Sequence, residues 1–282
     1  MSAPMTRKVR IELTDVRKEF RTPSGPLLAA DGVSLAVNEG EFVSLVGPSG
    51  CGKTTLINMI AGFEHPTSGS VALDGRPITG PGADRGVIFQ EYGVFPWLTV
   101  RDNIAFGLSL RASRVPPAER REIVERYIAL MGLRGFENAY PKTLSGGMKQ
   151  RLALARAYAV KPEFLLMDEP FGALDAQTRS DMQDLLLQVL EREGKTVVMI
   201  THSVDEALYL SSRVVVVTAR PARVRTIIPV PFAYPRREEL RREPVFAELQ
   251  YKVREMVMRE YAVQQQITSE PVKPAVTEGA GA

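Results

Sequence analysis

Polar and apolar residues alternate along Val9–Asp15 and again along Val33–Val37, the period of strands with one solvated face. Thr22-Pro23-Ser24-Gly25-Pro26 supplies turn residues between them. A different pattern takes over further along. Phe42–Val46, Phe164–Asp168, Val197–Ile200 and Val214–Val217 are mostly apolar, as expected for strands covered on both faces in a largely parallel sheet. Helical segments fall between these runs. Leu56–Ala61 is closed by Gly62, a helix opening near Pro116-Pro117 puts Ile123, Tyr127 and Leu130 on one face, and an alanine-rich run covers Leu152–Ala159. The alternation predicts an α/β fold: a largely parallel sheet beside a small antiparallel β-layer, with a mostly helical region over about 91–160. After Val230, Pro231 and Pro235 interrupt the pattern. Phe246, Leu249, Val253, Met256 and Val257 then recur at helical spacing, with Glu248/Lys252 and Glu255/Arg259 four apart. A helical extension is expected over 231–267, packed on the core or against a partner. Residues 268–282 are rich in Pro, Ala, Gly and Glu and are expected to be disordered.

Composition narrows the class. The 282 residues are 44% hydrophobic, enough for one large domain or two modest ones. Lys plus Arg at 36 against Asp plus Glu at 33 gives a net charge of +3, too balanced to argue for nucleic acid, and no nucleic-acid partner is expected. No apolar stretch follows Met1–Lys8, so no signal peptide is expected. The longest unbroken apolar run is five residues, Tyr127–Met131, far short of a membrane span. A soluble cytosolic chain is expected, one that works at a membrane only through a partner. Cys51 is the single cysteine, which excludes an internal disulfide and a cysteine-based zinc site, although its position could make the chain sensitive to thiol reagents. His65 lies in a turn and is expected to be solvated. Arg236-Arg237 and Arg241-Arg242 read as a solvated approach to a helix, with weak contact to anionic lipid as the alternative.

The chemistry lies in short motifs. Gly47-Pro48-Ser49-Gly50-Cys51-Gly52-Lys53-Thr54-Thr55 fits G-x-x-x-x-G-K-[ST], set between a predicted strand and a predicted helix as a P-loop requires. Glycines let backbone N–H groups turn toward phosphate oxygens, and the new helix adds its positive end. Lys53 can then reach the β- and γ-phosphates, and the Thr54 hydroxyl can ligate Mg²⁺. The chain is thus expected to bind a nucleoside triphosphate. The strand Phe164–Asp168 ends in two acids, as a Walker B strand does. Asp168 is placed to hold Mg²⁺ through water, and Glu169 to orient an attacking water or take its proton. At Leu144-Ser145-Gly146-Gly147-Met148-Lys149-Gln150-Arg151, a good N-cap and two glycines open the alanine-rich helix, a second anion-ready helix start.

Leu-Ser-Gly-Gly between a P-loop and a Walker B strand resembles the signature of the ATP-binding cassette (ABC) family, a likeness that extends from about Val9 to Val230. The resemblance implies a P-loop NTPase core with an α-helical subdomain and, as cofactors, ATP and Mg²⁺. Gln90 resembles the Q-loop glutamine that touches Mg²⁺ and senses the γ-phosphate. Phe171-Gly172-Ala173-Leu174-Asp175 resembles the D-loop, which puts Asp175 among the nucleotide-site residues. His202 resembles the switch histidine at the γ-phosphate. Phe20 sits where the family stacks an aromatic, more often tyrosine, on adenine. Met148 and Gly172 depart from commoner glutamine and serine, and no polar role is assigned to them.

The family further implies a homodimer in which each ATP lies between one chain's P-loop and the other's Ser145, Gly146 and Gly147. It also implies transmembrane permease subunits, with a periplasmic or lipid-anchored solute-binding protein acting indirectly, and a peripheral location on the cytoplasmic face of the inner membrane. Gly80–Gln90, Phe95–Asn103, Arg220–Val224 and the C-terminal helix look most like the nitrate/sulfonate/taurine group of bacterial importer ATPases. An exporter subunit or a soluble non-transport ATPase of the family is the alternative. The aromatic segment Glu91–Val100 borders, in the family, a groove for a permease helix. Filling of the helical subdomain by Phe95 and Trp97 is the competing reading.

Overall fold

The computed structural model describes residues 8–90, 93–110 and 115–269. In chain order the elements are β1 (Val9–Thr22), β2 (Gly25–Asn38), β3 (Phe42–Val46), α1 (Lys53–Ala61), β4 (Ser68–Leu73), β5 (Arg76–Pro77), β6 (Arg85–Ile88) and α2 (Val100–Ser109). They continue as α3 (Pro117–Leu130), α4 (Gly146–Ala159), β7 (Phe164–Asp168), α5 (Ala176–Glu193), β8 (Thr196–Ile200), α6 (Val204–Leu210), β9 (Arg213–Val217), β10 (Val224–Pro229) and α7 (Pro244–Ser269).

The apolar runs form the middle of a six-stranded sheet in the order β10-β9-β3-β8-β7-β6, parallel except for β10 against β9. Every residue of β3 and β8 is buried, which explains their unbroken hydrophobic character. A second, antiparallel sheet has the order β2-β1-β4-β5. Between the two sheets lies a core built from Ile11, Leu13, Leu45, Ile57, Ile60 and Val215, with α1 packed in it. The other face of the large sheet is covered by α2–α6 and by Phe246, Val253 and Val257 of α7.

Both strands of the first hairpin run further than the alternation predicts, to Thr22 and back from Gly25. Register shifts after Leu13, Val16 and Lys18, with Asp15 in a left-handed conformation at φ 46°, break the alternating pattern without ending the pairing. The face of α3 is Ile123, Val124, Tyr127 and Ile128, while the expected Leu130 is only half-buried.

The C-terminal extension is helical only from Pro244, apart from a short 3-10 turn at Glu238–Arg242. Glu255 and Arg259 pair at 2.6 Å, but Glu248 and Lys252 do not. Thr268 and Ser269, expected in the disordered tail, end α7, and the rest of that tail lies outside the described residues.

Of the four arginines before α7, Arg237 and Arg242 are exposed as expected, but Arg236 and Arg241 are not. Arg236 is buried and donates to the Leu208, Tyr209 and Ser211 carbonyls, each at 2.9 Å, closing the C-terminus of α6. Burial pushes its guanidinium below the usual arginine range. Arg241 lies over the Tyr209 ring and pairs with Asp205 at 3.2 Å. The proposed lipid contact of these two residues is thereby corrected, because their donors are already spent on the protein.

Candidate active site

Three loops of interest leave the carboxyl ends of adjacent parallel strands: the P-loop after β3, Glu169 after β7 and His202 after β8. In open α/β sheets this edge is where ligands are held. A cavity of about 440 Å³ opens there, lined by Phe20, Leu27, Ala29, Ser49, Gly50, Gly52, Lys53, Thr54, Thr55, Gln90, Glu169, Ile200 and Arg220.

The P-loop needs its glycines for space as well as for conformation. Gly52 has φ 116°, and a Cβ there would meet the Ala29 carbonyl oxygen at 2.3 Å. At Gly47 a Cβ would meet the Val217 carbonyl oxygen at 2.6 Å. The backbone is thus pressed against β2 and β9, leaving a cradle that side chains would fill. The Lys53 ammonium donates to the carbonyls of Gly47 at 2.8 Å and Pro48 at 2.7 Å, which holds it across the loop. Cys51 lies beneath the loop with no exposed surface, and burial pushes its thiol above the usual range against the pull of Lys53. The expected sensitivity to thiol reagents is therefore corrected: the sulfur is both covered and protonated.

At the far end of the cavity the Thr54 hydroxyl donates to Asp168 Oδ2 at 2.9 Å. Burial pushes the Asp168 carboxyl up and the neighbouring Glu169 charge adds to this, opposed by Thr54 and Lys53. Glu169 is one of four described non-glycine residues with positive φ, at 47°. Its N–H donates to the Ile200 carbonyl at 2.9 Å, so the turn is tied to β8. Its carboxylate lies 3.4 Å from Gln90 Nε2 and 3.4 Å from His202 Nδ1. Such strain at a turn carrying a carboxylate, beside Gln90 and His202, makes Glu169 a candidate functional position. Phe20, with Lys18 Nζ 4.7 Å above its ring, lines the wall furthest along the β1–β2 hairpin.

The structure brings Phe20, Ser49–Thr55, Gln90, Asp168, Glu169 and His202 to one region. It does not bring Ser145, Gly146, Gly147 or Asp175 there. Ser145 caps α4, its Oγ accepting from the Met148 N–H at 3.3 Å, and Asp175 caps α5, its Oδ1 accepting from the Thr178 N–H at 3.0 Å. The Asp175 carboxyl is held below the usual range by that N–H. The two helix starts touch, since a Cβ at Gly147 would meet Thr178 Cγ2 at 2.5 Å. Of the two, the α4 start with its exposed Ser145 and Gly146 is the anion-ready one, since the Asp175 carboxylate fills the start of α5.

Trp97 is 70% exposed, which overturns its core-filling reading. Phe95 stands behind it, 5.6 Å from Trp97, 4.5 Å from Phe106 and under the Arg156 guanidinium at 4.9 Å. Sequence reasoning missed Asn103. It is wholly buried in α2, accepts from the Phe95 N–H at 2.8 Å and donates to the Phe95, Leu98 and Thr99 carbonyls, shaping the aromatic loop. A polar residue on the apolar face of a predicted helix was its only signal.

Over residues 30–172 the chain matches the family described as ABC transporter. It is 56% identical over 230 residues to an ATP-binding protein of Brucella abortus, covering 81% of this chain and 87% of that one. It is 46% identical over 249 residues to the nitrate import ATP-binding protein of Synechococcus elongatus, covering 88% and 91%. Among solved structures, a dimeric bacterial ABC transporter cassette superposes with a TM-score of 0.70 at 33% identity, over 79% of this chain and 100% of the other. The same cassette in a post-hydrolysis state with ADP and phosphate gives 0.69. The chain belongs to the ABC transporter family, as one of its ATP-hydrolysing cassettes.

Proposed function

We propose that the protein energises a bacterial importer for nitrate, a sulfonate, taurine or a related small solute. It acts as a pair of identical cassettes on the cytoplasmic face of the inner membrane, bound to permease subunits that a solute-binding protein supplies. The mechanistic reading is carried by one observation: the chain has two phosphate-ready helix starts, at α1 and α4, that share no cavity within one copy. A second copy turned head to tail would put Ser145, Gly146 and Gly147, with Asp175 beside them, over the first copy's P-loop. The kinship with a nitrate import protein supports the importer reading and the solute class. No helix among the described residues is long and apolar enough to cross a membrane, consistent with attachment through partners.

Within the cavity, Phe20 would stack on adenine. The N–H groups of the Gly47–Thr55 loop and Lys53 would hold the phosphates. Thr54 and Asp168, already 2.9 Å apart, and Gln90 present the hard oxygen donors that suit Mg²⁺. Mg²⁺ bound there would neutralise charge between the β- and γ-phosphates. Glu169 then orients a water and takes its proton, while His202 steadies the Glu169 carboxylate and the γ-phosphate. Closure of the pair over ATP would pull on the permease, and hydrolysis would release it.

The test is capture of the tagged protein from detergent-solubilised membranes. Wild type is expected to bring down membrane-spanning subunits. Trp97→Ala should lose them at a cost of about 2 kcal/mol in affinity while the isolated chain melts as before, because the side chain is exposed. Wild type that captures no membrane subunit contradicts the transport reading and favours a soluble ATPase.

A further inference from the structure

We propose that Arg220 is a nucleotide-contacting residue and that α7 is the element that holds it in the cavity. Arg220 lines the same space as Phe20, Lys53 and Thr54, reaching it from the loop after β9 at the same sheet edge as the P-loop. Its guanidinium takes no acceptor among the described residues. The protein thus sets an unneutralised, half-buried cation into the wall of a cavity already built for a polyanion.

The loop that carries it is clamped on two sides. Toward the P-loop, the Ala222 N–H donates to the Ala29 carbonyl at 2.9 Å and the Asp31 N–H to the Ala222 carbonyl at 3.0 Å. The Ala222 side chain would touch a Cβ placed on Gly52 at 3.0 Å, so this loop abuts the start of α1. On the opposite side, two buried side chains of α7 capture the two N–H groups that fix Arg220. Glu260 Oε2 accepts from Ala219 at 2.8 Å, and Gln264 Oε1 accepts from Arg220 itself at 2.9 Å. Glu260 also pairs with Arg225 of β10. The C-terminal helix therefore reaches the nucleotide through one loop, with no contact of its own to the cavity. Arg220 enters from the Ala29 side, the wall of Phe20, opposite Asp168 and Glu169. Its charge therefore serves affinity for the nucleotide rather than hydrolysis.

The inference rests on reading this cavity as the ATP site, and the test separates the two. ATP affinity of the purified full chain is measured by titration calorimetry with Mg²⁺, alongside melting temperature. Arg220→Ala is expected to weaken ATP about tenfold without lowering the melting temperature, and Arg220→Lys to recover part of the loss. Gln264→Leu should weaken ATP about threefold in the wild-type background and not at all beside Arg220→Ala, since it acts through that side chain. Lys53→Ala serves as the reference for the cavity. If Lys53→Ala loses ATP while Arg220→Ala binds it as tightly as wild type, the role of Arg220 is overturned and the cavity reading stands. If Lys53→Ala binds normally, the cavity reading falls and takes this inference with it. A Gln264→Leu effect of equal size in both backgrounds overturns the positioning role of α7.

Discussion

Among the described helices, α2, α4, α5 and α6 start with a side-chain cap, while α1 and α3 do not, and of these two only α1 opens into the cavity. At α2, α4, α5 and α6 a Thr99, Ser145, Asp175 or Ser203 side chain accepts from an N–H of the first turn, at 3.1, 3.3, 3.0 and 3.3 Å. At α1 the capping position is Gly52, with φ 116° and no side-chain bond. The first N–H groups of any helix lack partners within it, and a structure that leaves them open inside a cavity reserves them for a ligand. The contrast between α1 and α4 is the informative one. Both are proposed to face the same phosphates, yet α4 satisfies one N–H internally and keeps the exposed Gly146 alongside it. The P-loop helix depends on nucleotide to complete its first turn. The α4 start satisfies one N–H by itself, and its remaining open groups are proposed to meet a nucleotide carried by another copy.

Three substitutions probe that contrast, in falling order of effect. Glu169→Gln keeps the shape of the turn but removes the charge, so hydrolysis measured with the permease should fall by about 10²–10⁴-fold with ATP binding retained. Wild-type turnover would remove Glu169 from its assigned role. Gly52→Ala adds a Cβ that meets the Ala29 carbonyl oxygen and imposes a positive φ on a side-chain-bearing residue. The positive φ alone costs about 1–3 kcal/mol, so nucleotide binding should be lost along with several degrees of melting temperature. Binding at wild-type affinity would show that the α1 start is not the tight cradle described. Ser145→Ala removes a cap and should cost about 1 kcal/mol of stability, while ATP affinity of the single chain stays unchanged. A drop in that affinity would mean that α4 and α1 meet the nucleotide within one copy.

How much of this was legible beforehand depended on sequence distance. Gly47–Thr55 and Phe164–Glu169 read directly because each motif is contiguous and its chemistry sits beside its own strand. The central strands read for the same reason, since burial on both faces leaves an unbroken apolar run. The length of β1 and β2 did not, because bulges near Asp15 erase the alternation that would have revealed it. Arg236, Glu260 and Gln264 were illegible for a different reason. Each is a polar residue made buriable by carbonyls or N–H groups 25–44 positions away, pairings that no local period encodes. Trp97 was ambiguous rather than hidden: local pattern allowed both a core and a surface reading, and the structure leaves it exposed against Phe95.

The central claim is that one nucleotide is shared by the α1 start of one copy and the α4 start of another. Light scattering on purified Glu169→Gln protein tests it most directly, since a variant that cannot hydrolyse ATP cannot reopen the pair. The account predicts a shift from monomer to dimer mass on adding ATP, reversed when Ser145→Arg places a bulky side chain against the facing phosphate. Dimerisation that persists with Ser145→Arg, or a mass indifferent to ATP, would contradict it.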